Sequence, residues 1–215
     1  MKRFVSFLIL FSMAFVFLGT SCSKTEEYKA PQVCLDAGHG GKDYGVVYNK
    51  RYEKNDTFAM VNAVQRALEK RNIGVSLTRG EDKFLSLQER SKIVNDSGAK
   101  LLVSFHRNSG KNAKGVEIWI NPKNLWADRV LAENIMTNLK KTGISADRGI
   151  KTVLESEKNE NYYINTQSDI PSCLVKLGFI SSDEDNKMFD DDNIEKYAES
   201  IADAIEISLD DIYGD

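Results

Sequence analysis

Five short apolar runs, at residues 32–36, 74–78, 100–105, 115–120 and 172–177, alternate along this chain with longer stretches of helical periodicity. Runs of this length, rich in aliphatic and β-branched residues, read as buried strands. Between them, Phe58, Val61, Val64, Gln65 and Leu68 share one stripe of residues 57–71, and residues 87–95, 126–141 and 194–209 are also predicted helices. In the last of these, Ala198, Ile201, Ala202, Ile205 and Leu209 make a face suited to core packing. Parallel neighbours need a crossover long enough to hold a helix. The alternation therefore predicts an α/β fold, a single domain with a twisted, largely parallel sheet flanked by helices. Asp56 or Thr57 is the expected cap of the first helix, and Asn72-Ile73-Gly74 its end at a glycine. Asn121-Pro122-Lys123-Asn124 reads as a turn.

The amino-terminal end belongs to a different class of sequence. Met1-Lys2-Arg3 is basic, residues 4–18 are almost unbroken apolar, and Gly19-Thr20-Ser21-Cys22 follows. The run is short for a spanning helix, so residues 1–21 read as an export signal. Two readings of its processing point to the same bond. Gly19 and Ser21 suit an ordinary signal peptidase, whereas Cys22 as first mature residue suits a lipoprotein. Gly19 stands where a lipoprotein usually has a large aliphatic residue, but the polar stretch 23–30 looks like a tether. The lipoprotein reading is preferred: residues 22–31 form a lipidated terminus and tether, and 32–215 the domain. The protein is then expected in the cell envelope or periplasm, reaching a membrane through a lipid on Cys22. An oxidising compartment permits a disulfide between Cys34 and Cys173, but both sit in apolar strand runs, so free buried thiols are expected. A net charge of −3 without a basic run argues against nucleic acid as a partner.

The chain has two histidines, and both end apolar runs. His39 closes Val33-Cys34-Leu35-Asp36-Ala37-Gly38-His39, and His106 closes Leu101-Leu102-Val103-Ser104-Phe105-His106. Either alone reads as a core or surface histidine. Two at strand ends predict a shared site at the carboxyl edge of the sheet, where α/β folds bind ligands, and neutral imidazole is a common zinc ligand. Glu53, in Arg51-Tyr52-Glu53-Lys54 ahead of the first helical segment, is the candidate third ligand.

These residues carry a resemblance. Asp36-Ala37-Gly38-His39-Gly40-Gly41, Glu53 and Ser104-Phe105-His106-Arg107-Asn108 resemble the zinc-dependent N-acetylmuramoyl-L-alanine amidases. The likeness continues through Leu77-Thr78-Arg79, Gly115-Val116-Glu117, Arg148-Gly149-Ile150-Lys151 and Leu177-Gly178-Phe179, in the family's order. It implies zinc held by His39, Glu53 and His106 with water in the fourth position, peptidoglycan as substrate, and Arg148 beside the cleft. Arg148 reads equally as a helix-end surface residue. One position departs. The family has a glutamate directly before Leu-Gly-Phe, its general base and acid, and this chain has Lys176. A charged lysine has no acceptor lone pair. Glu117, Asp183 and Glu184 are candidate stand-ins for that glutamate, but Glu117 reads as a plain strand residue and the other two as solvated loop charges. Arg107 is expected to bring positive charge near the metal. The polar region 155–169, with Tyr162 and Tyr163, can line a groove but reads foremost as a surface loop.

Three functions compete: a zinc amidase cleaving between N-acetylmuramic acid and L-alanine, a catalytically degenerate zinc- and peptidoglycan-binding envelope protein, and a zinc hydrolase of another envelope amide with Lys176 retuned to its leaving group.

Overall fold

Alternating side chains along each strand decide which face of the sheet is covered and which is left open. The computed structural model describes residues 30–123, 125–152 and 162–214. Its strands are β1 (Val33–Ala37), β2 (Val47–Tyr48), β3 (Arg51–Tyr52), β4 (Val75–Leu77), β5 (Leu101–Asn108), β6 (Val116–Ile120), β7 (Asp147–Thr152) and β8 (Ser172–Phe179). Six of them form one sheet in the order β4-β1-β5-β8-β6-β7, and β2 and β3 pair separately as an antiparallel ribbon. All neighbours in the main sheet run parallel except β6 and β8. The reversal follows from the short connection 109–115, which cannot carry a crossover, so β6 returns against the direction of β5.

The helices are α1 (Glu53–Lys70), α2 (Leu87–Asp96), α3 (Trp126–Thr142), α4 (Tyr163–Gln167), α5 (Asp183–Asn186) and α6 (Asp191–Tyr213). The first begins earlier than its periodicity suggested. Neither Asp56 nor Thr57 caps it: Tyr52 is the cap residue and makes no side-chain cap bond. Loop carbonyls serve instead, with Glu53 and Lys54 donating their N–H groups to Val46 and Tyr44. At its other end Asn72, not Gly74, takes the left-handed conformation, with φ 67°. The expected turn at Asn121 is tightened by its side chain, which accepts from Lys123 N–H at 3.0 Å.

Val33, Leu35 and Ala37 of β1 join Leu101, Val103 and Phe105 of β5 and Cys173, Val175 and Leu177 of β8 in the main core, against α1, α3 and α6. The alternate residues Cys34, Leu102 and Leu174 face a smaller core with Val94 of α2 and Ile164 of α4. Cys34 and Cys173 are thus free, buried and on opposite faces, as the expectation of unpaired thiols required. The same period of two puts Asp36, Ser104, His106, Lys176, Glu117 and Trp119 on the thinly covered face. That face carries the site. Among the described residues no helix is long and apolar enough to cross a membrane. The expected export signal and Cys22 lie outside the described residues.

Candidate metal centre

His39 stands two residues beyond β1 with φ 62°, a conformation uncommon outside glycine. Arg90 of α2 holds the backbone there, donating to the carbonyls of Ala37 and His39 and to Asp36. Asp36 is buried and also accepts from Thr78 and Ser104, each at 2.6 Å. Burial opposes its charge, but Arg90 and the two hydroxyls outweigh it and keep the carboxyl below its ordinary range. With its backbone fixed, His39 sets Nδ1 2.8 Å from Asp43 Oδ2 and Nε2 3.2 Å from Glu53 Oε2.

Glu53 is the first residue of α1 and only 2% exposed. Its Oε2 accepts from Val46 N–H at 2.9 Å and its Oε1 from Arg107 N–H at 2.8 Å. His106 Nδ1 lies 3.1 Å from the same Oε1. Burial again opposes the charge, yet the imidazoles of His106 and His39 hold this carboxyl far below the usual range. His106 does not end its strand, as the sequence suggested. β5 runs on to Asn108 through an irregularity against β8 after His106.

These three residues bring one ligand atom each to within 4.8 Å of one another. Two glycines make the space. A Cβ on Gly38 would lie 2.4 Å from His106 Cε1, and one on Gly45 would lie 2.6 Å from His39 Cδ2 and 2.7 Å from Glu53 Oε2. Two imidazoles and a carboxylate are a donor set for a borderline divalent metal that leaves a fourth position open. The carboxylate of Asp43 on Nδ1 orients His39 so that Nε2 faces inward. The residues present fit a metal. Beside them opens a cleft of about 210 Å³ lined by His39, His106, Asp43, Phe84, Leu87 and Ile164.

Lys176 is on the site face. It stands opposite His106 on one side and Glu117 on the other. Its Nζ donates to Tyr162 Oη at 3.2 Å and lies 4.0 Å from Glu117 Oε1. Burial lowers the pKa of its ammonium, while Glu117 and Glu53 oppose the shift. Glu117, expected to be an ordinary strand residue, is a buried hub. It accepts from Asn108, Trp119, Lys151 and Arg148 at 2.9, 3.0, 2.6 and 3.3 Å. The signal that could have found it is the alternation Val116-Glu117-Ile118-Trp119-Ile120, which sends Glu117 away from the main core.

Three further expectations change. Arg148 is in β7, not at a helix end, and stacks over Phe179 at 5.0 Å. Arg107 brings no side-chain charge to the centre. Strand alternation turns it to the opposite face, where its guanidinium pairs with Asp56 and Asn186 over Phe189. Tyr162 is no surface-loop residue: it is buried and stacked on Trp119, ring centroids 4.3 Å apart. Residues 153–161 of that region lie outside the described residues. Asp183 and Glu184 are exposed, as expected.

Residues 33–207 match the N-acetylmuramoyl-L-alanine amidase family. Protein YqiI of Bacillus subtilis (strain 168) is 33% identical over 198 residues, 91% of each chain. The probable cell wall amidase LytH of Staphylococcus aureus is 32% identical over 164 residues, 74% of this chain but 51% of LytH, so the match spans about half of that relative. Among solved structures, the catalytic domain of CwlV, an N-acetylmuramoyl-L-alanine amidase from Bacillus (Paenibacillus) polymyxa var. colistinus, has a TM-score of 0.73 at 32% identity, covering 83% of this chain and 97% of that one. The N-acetylmuramoyl-L-alanine amidase from Clostridium difficile 630 gives 0.75 at 30% identity, covering 86% and 99%. By the extent of these matches and the fold they share, the chain belongs to the N-acetylmuramoyl-L-alanine amidase family.

Proposed function

We propose that this chain is a zinc-dependent peptidoglycan amidase, cleaving the amide between the lactyl group of N-acetylmuramic acid and L-alanine, with turnover limited at Lys176. The observation that carries the reading is the convergence of His39, Glu53 and His106 beside a cleft that His39 and His106 line. Bound there, zinc would polarise the amide carbonyl and lower the pKa of water to about 7. His39 would offer Nε2, held by Asp43, and His106 would offer Nδ1, the nitrogen facing Glu53. Glu53 would add a carboxylate kept ionised by those imidazoles and fixed by two backbone N–H groups. Lys176 occupies the position of the general base. As an ammonium it donates and does not accept, so it takes no proton from the nucleophile. General acid–base terms are worth about 10²–10⁴-fold, which is the expected deficit. Arg148 flanks the substrate. Residues 1–21 direct export, and 22–31 carry the lipidated Cys22 and tether the domain to a membrane.

A second reading, a peptidoglycan-binding protein without turnover, draws support from the engagement of Lys176 with Tyr162 and Glu117. Two measurements separate them. Metal analysis of protein purified without chelator should give one zinc per chain, lost in His39→Ala and His106→Ala; less than a tenth of an equivalent would remove the metal reading. Slow, chelator-sensitive release of stem peptides from purified sacculi supports the amidase. Full zinc with no release hands the assignment to the binding protein.

A further inference from the structure

Glu117 is one carboxylate facing three cations. Lys151 Nζ, Arg148 Nε and Lys176 Nζ lie 2.6, 3.3 and 4.0 Å from its oxygens. One cation balances one buried carboxylate, so the cluster keeps an excess of positive charge. Glu117 is 5% exposed at its side chain, but Lys151 and Arg148 are 34% and 37% exposed and reach solvent. Asp147, the nearby carboxylate of β7, is committed to Lys140 at 2.9 Å, and Glu184 to Lys114 at 2.7 Å.

The cluster also has a place and a wall. His106, Lys176 and Glu117 are register partners on β5, β8 and β6; on β7, Lys151 pairs with Trp119, and Arg148 lies at the irregularity beside Glu117. At about 4.8 Å per strand, β8, β6 and β7 stand roughly 5, 10 and 15 Å from β5, which sets the cluster to one side of His106. The stacked rings of Trp119 and Tyr162 border it, with Lys176 Nζ 5.8 and 5.3 Å from their centroids and Lys151 Nζ 5.4 Å from Trp119. An extended peptide advances about 3.3–3.6 Å per residue. A carboxylate on the second residue beyond a bond held at the metal centre is therefore within reach of this cluster.

We propose that Lys176, Lys151 and Arg148 form an anion subsite that holds a peptide carboxylate beside the metal centre, with Glu117 spacing the cations and the Trp119–Tyr162 stack walling them. The inference rests on the amidase reading and deepens it: the ligand is a muramyl peptide with a free carboxylate close to the muramoyl–alanine bond. Ammonium and guanidinium groups give charge-assisted hydrogen bonds to carboxylates, about twice as strong as neutral ones. Lys176 thus acts as a binding group where the family has a base.

Calorimetric titration of the intact, zinc-loaded protein tests this with two probes. One is N-acetylmuramoyl-L-alanyl-D-glutamate, and the other is the same compound with both glutamate carboxyls as amides. The acid should bind about tenfold tighter at low salt, the scale of one charged hydrogen bond, and the preference should shrink as salt rises. Lys151→Gln and Lys176→Met should each cut it to about threefold or less. Equal binding of acid and amide by the unmodified protein overturns the subsite whatever the variants do. So does failure of both probes to bind at millimolar concentration, or a preference that survives both substitutions in folded protein. Zinc content and sacculus hydrolysis, read on the same preparation, report the amidase assignment separately.

Discussion

Asp43 decides which nitrogen of His39 faces the centre. With Nδ1 held at 2.8 Å by that carboxylate, Nε2 is the atom turned toward Glu53. Partners of this kind commonly change metal affinity 10–100-fold when removed. Asp43→Ala should therefore weaken zinc binding by about that factor, read by competition with a chromogenic chelator and independent of turnover. An unchanged affinity would mean that Glu53 and the backbone suffice to orient the ring. Sequence alone exposed the histidines because there were only two, and Glu53 because it stood near a helix entrance. Glu117 was legible only as far as strand alternation turns it away from the main core. A charged residue inside a strand reads as solvent-facing, and only the cross-strand register reveals that it sits beside Lys176. Lys176 itself stood out by departing from a family pattern, not through any property of a lone lysine.

The first turn of α1 is where element-level reading went wrong, and the reason is physical. Asp56 and Thr57 have the chemistry of cap residues, but their side chains are used elsewhere. Thr57 Oγ1 donates to Gly38 O at 2.8 Å, tying the helix to the histidine loop. Asp56 accepts from Arg51 and from the fully buried Arg107, which locks α1 against β5. Removing one member of a buried pair leaves the other charge unpaired, at a cost of about 3–5 kcal/mol. Asp56→Ala should lose stability on that scale, seen as a lower urea midpoint with an unchanged slope. A change below about 1 kcal/mol would show that Arg51 and Arg107 find other partners. Strands β1, β5, β6 and β8 were readable as apolar runs. β7 was not, because Asp147-Arg148-Gly149-Ile150-Lys151-Thr152 is a polar edge strand with a glycine, the composition that keeps sheet edges from pairing further.

Across the whole molecule, unequal covering of the sheet separates stability from function. One face is sealed by α1, α3 and α6 over an apolar core, while the other carries α2 and α4 over a small cluster and leaves His106, Lys176 and Trp119 part-exposed. The alternation of strands and helices announced the sheet, but not the insertion of β8 between β5 and β6. Strand order depends on which edges meet, which no local pattern encodes. On the proposal that residues 1–21 serve export, a chain beginning after them should fold and bind zinc. In a host that acylates lipoproteins, Cys22→Ser should shift the protein from the membrane to the soluble fraction. Persistence in the membrane fraction would place the anchor elsewhere or leave the signal uncut.

In the proposed amidase, His39, Glu53 and His106 converge on the metal centre while proton transfer fails at Lys176. Lys176→Glu supplies an acceptor on the same strand position and removes a cation from the cluster. Glu117 keeps Lys151 and Arg148 as its partners. Release of stem peptides from purified sacculi, compared between the two proteins at matched zinc occupancy, is the direct measurement. The expected result is a gain of about 10²-fold or more in turnover for the glutamate form. Equal rates at matched zinc would contradict the account, because Lys176 would then not be the residue that limits catalysis.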